Sequence, residues 1–384
     1  MWRNILGKLI YFISGWVPRQ SHKAVFGCYR DLFTDNSKYL FLHYSGAPRV
    51  RAIWISGDDY LVERLNQEGH EAYHRGSWRG RWHALTAGVY CYSSYVGDIN
   101  QWLCRGAFLV NLWHGSPLKE IEFDISNGPL ADRYRRTHPG MRAWRYHQLY
   151  LKPDLMLAPS FRVADCFRSA FRLPEHRVRI GGYPRTDFAD SPEMAANPPL
   201  PAFCNGRRRI LYAPSWRDGA NGNPYLEALD WPRLSDWLVE NDSVLLLRLH
   251  PNEREMARDL AKYPFIVDIS HREDIYDLLP DLALVITDYS SLYIDGLLFD
   301  VPVLFYRFDH AWYASDCRKA YAYSRDLPAA GRVVGDFETL LAELQRGYCF
   351  DRNQNRTGRA AQRNQFWQPG LPRAFEVIDR QLGW

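Results

Sequence analysis

ALVITDYSSLYIDGLLFDVPVLFY, residues 283–306, sets out the fold in twenty-four letters. A short apolar run (283–287) ends in a polar cluster, Asp288-Tyr289-Ser290-Ser291. A helical segment follows, and then a second apolar run (303–306). Two apolar runs bracketing a helix are the signature of a βαβ unit, in which a parallel strand delivers polar residues to the loop beyond its carboxyl end. The same punctuation recurs along the chain. Candidate strands fall at 39–43, 52–56, 89–92, 108–112, 155–158 and 178–181, and again at 210–212, 244–249, 265–268, 283–287 and 303–306. Between the two groups lies SPEMAANPPLP (191–201), a Pro-rich polar stretch that reads as a linker. The expected fold class is therefore α/β, two Rossmann-like domains facing across a cleft.

Ligands of such sheets bind on the loops that leave the strands, so those loops are the functional search list. After 210–212 come Ser215, Trp216 and Arg217; after 244–249, His250; after 283–287, Asp288, Ser290 and Ser291, with Asp295 on the helix; after 108–112, Trp113-His114-Gly115-Ser116 and Lys119. Ser290 and Ser291 read either as helix caps or as hydroxyls that join helix N–H groups around a phosphate. Arg217 offers a bidentate donor fork and His250 a directional donor. His114 beside a glycine is a candidate proton acceptor at neutral pH, or a structural histidine.

Composition narrows the classes. Lys plus Arg less Asp plus Glu is 48 − 44 = +4, too mild to suggest a nucleic-acid partner. The seven cysteines are scattered without C-x-x-C, which predicts reduced thiols in a cytosolic protein and no zinc cluster. G-x-x-x-x-G-K-[ST], G-x-G-x-x-G after a strand, H-E-x-x-H and G-x-S-x-G are all missing. Aromatics are abundant at 15%. Several sit in the first 24 residues, where Trp2, Ile5, Leu6, Leu9, Ile10, Ile13, Trp16 and Val17 recur at helical spacing opposite Arg3, Asn4, Lys8 and Ser14. This reads as a helix lying on a membrane surface, or as one packed on the protein body. A second basic-aromatic run, with Arg133, Arg135, Arg136, Trp144 and Arg145, suits anionic headgroups or acceptor phosphates.

NLWHGSPLKEIEFD (111–124), GGYPRTD (181–187), ILYAPSWRD (210–218), LLLRLHPN (245–252), DISHREDIYDLL (268–279) and ITDYSSLYIDGLLFDVPVLFYRFD (286–309), with FTDNSKYLF (33–41), occur in order. Together they resemble the CDP-glycerol glycerophosphotransferase family of teichoic acid and related capsule synthesis. The resemblance implies a GT-B-like fold and transfer of glycerol phosphate from CDP-glycerol to a hydroxyl of a lipid-linked glycan, with release of CMP. It implies His114 as general base and His250 as a second catalytic candidate. Lys119, Ser215, Arg217, Asp288, Ser290, Ser291 and Asp295 become substrate-binding residues, Lys119 near the acceptor. No cofactor and no protein-bound metal ion are expected. A compact, primase-like enzyme at the inner face of the cytoplasmic membrane is the expected setting. CDP-ribitol as donor, and a GT-B glycosyltransferase using a nucleotide sugar, stand as alternatives. The linear division is 1–24 membrane helix, 25–190 acceptor domain, 191–205 linker, 206–350 donor domain and 351–384 helical tail.

Overall fold

Among the described residues of the computed structural model, thirteen parallel strands form two sheets. The structure describes residues 2–128, 130, 131, 133, 134, 139–187, 199–217, 223–250, 253, 260, 262–316 and 319–384. The chain divides into two units, one of residues 1–114, 132–195 and 369–384, the other of 115–131 and 196–368.

The first unit carries β1 (Gln20–Gly27), β2 (Arg51–Ser56), β3 (Ala72–His74), β4 (Ala87–Tyr92), β5 (Phe108–Asn111), β6 (Leu155–Ala158) and β7 (Val178–Ile180) in the order β3-β2-β1-β4-β5-β6-β7. Ala24 of β1 pairs with Ala52 on one side and Val89 on the other. Helices cover both faces, so the inner strands are buried on both and read as unbroken apolar runs. One face is an aromatic core in which the Phe33 and Phe41 rings meet Trp54 at 4.8 and 5.3 Å.

The second unit carries β8 (Arg208–Ala213), β9 (Ser243–Leu247), β10 (Ile266–Asp268), β11 (Leu282–Thr287), β12 (Val303–Tyr306) and β13 (Gly331–Val334), ordered β10-β9-β8-β11-β12-β13. In each sheet the strand order reverses once, between β1 and β4 and between β8 and β11. Loops diverge there and open a crevice beyond the strand ends.

Three expectations change. Residues 39–43 lie in a helix, Asp35–Ser45, not a strand; Asn36–Phe41 are all buried, which erases the helical alternation of polar and apolar residues. The first helix spans only Trp2–Ser14, and residues 20–24 open β1, where buried Lys23 donates to Thr86 Oγ1 at 2.7 Å. The tail is divided: helix Arg356–Phe366 stays with the second unit, while Ala374–Leu382 returns to the core of the first. Linker residues 191–198 lie outside the described residues. The six described cysteines are all buried and unbridged; Cys317 is not among them.

Candidate active site

His114 is presented by a backbone bent against its own preference. Trp113 has φ +50° and Gly115 φ +144°, the first uncommon for a bulky residue and the second open only to glycine. Such a turn persists only where its surroundings hold it. Asn111 Oδ1 accepts from Trp113 N at 2.9 Å. Asn36 Nδ2 donates to the carbonyls of Leu112 (3.2 Å) and Trp113 (2.9 Å). The Trp113 ring meets Phe171 edge-on at 4.9 Å. Below Asn36, its Oδ1 accepts from Arg185 N (3.3 Å), and Arg185 Nη1 donates to Asp35 Oδ1 at 2.6 Å.

The imidazole itself is exposed, with Nδ1 3.0 Å from the Ser93 carbonyl oxygen. A carbonyl only accepts, so Nδ1 carries the proton and Nε2 is the basic nitrogen. Ser93 is fixed in turn: its hydroxyl lies 2.7 Å from that of Ser37 and accepts from Ser37 N at 3.0 Å. Both serines are buried. The scaffold thus sets the tautomer and leaves Nε2 as the nitrogen able to accept a proton.

In the second unit the reversal point brings Ser215, Arg217 and Asp288 together. Ser215 N donates to Asp288 Oδ1 at 2.8 Å, and Thr287 Oγ1 ties β11 to the Ala213 carbonyl at 2.7 Å. Arg217 is 2% exposed. Its Nε and Nη2 hold Asp309 at 2.7 and 3.0 Å, and its Nη1 meets the Ser215 carbonyl (2.6 Å) and Asp288 Oδ2 (2.7 Å). Burial favours loss of its proton, but Asp288 and Asp309 more than reverse this and raise its pKa. The fork expected to grip a diphosphate is closed on two carboxylates, and through them Arg217 ties three loops together.

His250 stacks on Trp216, with ring centroids 5.3 Å apart and 15° between planes. Ser290 Oγ accepts from Leu292 N (3.3 Å) and so caps the helix, whereas Ser291, at the N-cap position, makes no cap bond. That helix, Leu292–Gly296, is a single turn and more before a 3-10 turn begins, so its dipole is smaller than expected. Asp295 is buried on it. Lys119 belongs to the second unit, bridged to Ala320, with Nζ 4.6 Å from the Tyr313 ring centroid.

The basic-aromatic run is only partly described. Arg135 and Arg136 lie outside the described residues. Arg133 and Arg145 each lie 5.4 Å from the Tyr146 ring, and Trp144 is exposed with Lys8 Nζ 5.0 Å from its ring. The first helix turns its polar side inward: Lys8 donates to the Ala143 carbonyl (3.2 Å), Gly7 packs on Trp102, Tyr11 meets His147 at 4.6 Å, and Ser14 is buried. Burial, then the charge of Lys8, lower His147 to about 4. Ile5, Leu6, Leu9, Ile10, Phe12, Ile13 and Trp16 face outward. Lys8 is therefore turned toward the body of the protein, as in the second of the two readings of this helix. No helix among the described residues is long and apolar enough to cross a membrane.

Sequence reasoning did not single out Asn36, Ser93, Asn111 and Arg185. Three of them, Asn36, Asn111 and Arg185, stand in the segments that carry the family resemblance, and that was the available signal.

Known proteins resemble this chain in sequence and in fold. A teichoic acid poly(glycerol phosphate) polymerase of Bacillus spizizenii is 26% identical over 367 residues, covering 91% of this chain and 89% of the relative. A teichoic acid ribitol-phosphate primase of the same organism is 25% identical, covering 89% and 87%. The structure of the wall teichoic acid polymerase TagF superposes with a TM-score of 0.80 at 22% identity, over 99% of this chain and 93% of that one, which shows a shared GT-B-like fold. The model of the CDP-glycerol:poly(glycerophosphate) glycerophosphotransferase family matches residues 9–369, and the chain belongs to that family of transferases.

Proposed function

We propose that the chain transfers glycerol phosphate from CDP-glycerol to a hydroxyl of a lipid-linked glycan and releases CMP. The observation that carries this reading is His114, held on a strained turn with Nδ1 on the Ser93 carbonyl, in a chain of this family. Nε2 takes the acceptor hydroxyl proton as the oxygen attacks the β-phosphorus. A new P–O bond forms, the P–O bond to CMP breaks, and the proton ends on His114. Phosphoryl transfer of this kind needs positioning and fixed charge more than covalent chemistry. We expect it to proceed without a cofactor or protein-bound metal ion.

The test is CMP release from CDP-glycerol with a defined lipid-linked acceptor, followed by mass spectrometry of the product. His114→Ala abolishes release while CDP-glycerol still binds; near-normal turnover by that variant removes His114 from the mechanism. Consumption of a UDP-sugar instead would make the enzyme a glycosyltransferase. CDP-ribitol is the second donor to try, because a ribitol-phosphate primase is among the relatives.

Work on a lipid-linked acceptor gives the first helix a purpose. Its apolar face points outward, and a contiguous exposed apolar face of this kind suits insertion at the acyl boundary of the cytoplasmic leaflet.

A further inference from the structure

Three cations and two carboxylates meet where the second sheet delivers its loops, and the cations are not equivalent. Arg217 is bound to both Asp288 and Asp309. One guanidinium against two carboxylates leaves a formal charge of 1 − 2 = −1, so this buried trio cannot receive an anion by itself. Arg307 follows β12 as Asp288 follows β11, in the neighbouring parallel strand. It is half-buried, its Nε donates to the Asp288 carbonyl at 3.4 Å, and it lies 5.2 Å from the Tyr289 ring and 5.1 Å from that of Phe305. Among the described residues, no carboxylate pairs with it. Two buried hydroxyls of the same cluster, Ser215 Oγ and Tyr313 OH, have no hydrogen-bond partner. Tyr313 stacks on Tyr289 at 3.6 Å and has Lys119 over its ring.

We propose that Arg307, not Arg217, supplies the positive charge that meets the diphosphate of the nucleotide donor, and that Arg217 is a positioning residue behind it. The assignment rests on the donor reading above. Arg307 and Lys119 add positive charge beside this trio, the sign that a diphosphate and a departing nucleoside monophosphate both require. Arg307 gives up no internal ion pair to do this, whereas Arg217 would abandon two carboxylates.

Binding of CDP-glycerol, CDP and cytidine to the full chain, before and after Arg307→Gln and Arg307→Lys, tests the assignment. Arg307→Gln is expected to weaken both diphosphates about ten- to a hundredfold and to leave cytidine unchanged, with Arg307→Lys recovering part of the loss. The KM for CDP-glycerol should rise far more than kcat falls. Equal losses for all three ligands, or none, would overturn it. Arg307-dependent binding of CDP without turnover of any CDP-polyol would sink the donor reading and leave the Arg307 assignment standing.

Discussion

Asn36 has no acid–base chemistry, yet its amide holds two consecutive carbonyls of the turn that carries His114. Leucine has a similar size and cannot donate, so Asn36→Leu leaves both carbonyls without their partner. The expected result is a kcat lower by about ten- to a hundredfold with a nearly unchanged KM for donor, because a base displaced by about an ångström loses most of its effect. Stability should fall by about 1–3 kcal/mol, measurable by urea unfolding. Arg217 makes the opposite case at the same scale. Arg217→Ala strands two acidic groups, Asp288 and Asp309, 1% and 12% exposed, and should cost about 3–5 kcal/mol. Arg217→Lys should recover little, since one ammonium cannot reproduce a fork that spans Asp309. If Arg217→Ala unfolds at the same urea concentration as the parent, the positioning role is wrong. His114 was legible as a candidate from its strand-end place and its neighbours. The ion pair of Arg217 was not, because its partner Asp309 stands 92 positions away and only the folded sheet brings them together.

Elements were readable where their burial left a period or an unbroken run. β6 and β12 are four-residue apolar runs buried throughout, and they fall where the sequence placed them. β3 and β13 have three and four residues, one or two of them buried, and such stretches look like loop. The helix Asp35–Ser45 looked like a strand because it is buried nearly all round, polar residues included. Helix Trp2–Ser14 was readable in its period but not in its facing. Sequence shows two faces; only packing shows that the polar one is turned inward, with Trp16 left 72% exposed and Leu6 59%. Its attraction to a bilayer should therefore be mainly apolar, with full burial of each large side chain contributing about 1.5–3 kcal/mol. Replacing Leu6, Leu9 and Trp16 by Ser should abolish flotation with liposomes. Raising salt from about 0.1 to 0.5 M, which shortens the Debye length by about half, should change parent binding little. Strong release by salt would instead place the attraction in the basic residues.

At the scale of the molecule, a linear list of domains could not show that the last sixteen residues, 369–384, complete the first unit, since their strand and helix partners are more than a hundred residues upstream. Ala374 and Ile378 are fully buried in the core of that unit, and Tyr44 OH donates to Asp379 Oδ1. Asp187 ties down the start of this helix by accepting from Ala374 N. Ile378→Ala should therefore destabilise the unit by about 2–5 kcal/mol, although it lies at the far end of the sequence from His114. The anchor also carries a pH dependence. Burial raises the Asp187 carboxyl from the ordinary acid range to about 7. A group whose folded pKa is raised contributes its stabilisation in full below the unfolded value, about 3.9, and loses it as pH rises through the folded one. Ionised Asp187 must be held without adequate solvation, so docking of Ala374–Leu382 should weaken progressively from about pH 4 to about pH 7 and change little above that. Hydrogen exchange of that helix, corrected for intrinsic rates, should show protection falling across this window. Asp187→Asn still offers an oxygen to Ala374 N but does not titrate, and should flatten the dependence. The same fall in the Asn variant would mean that another group drives it.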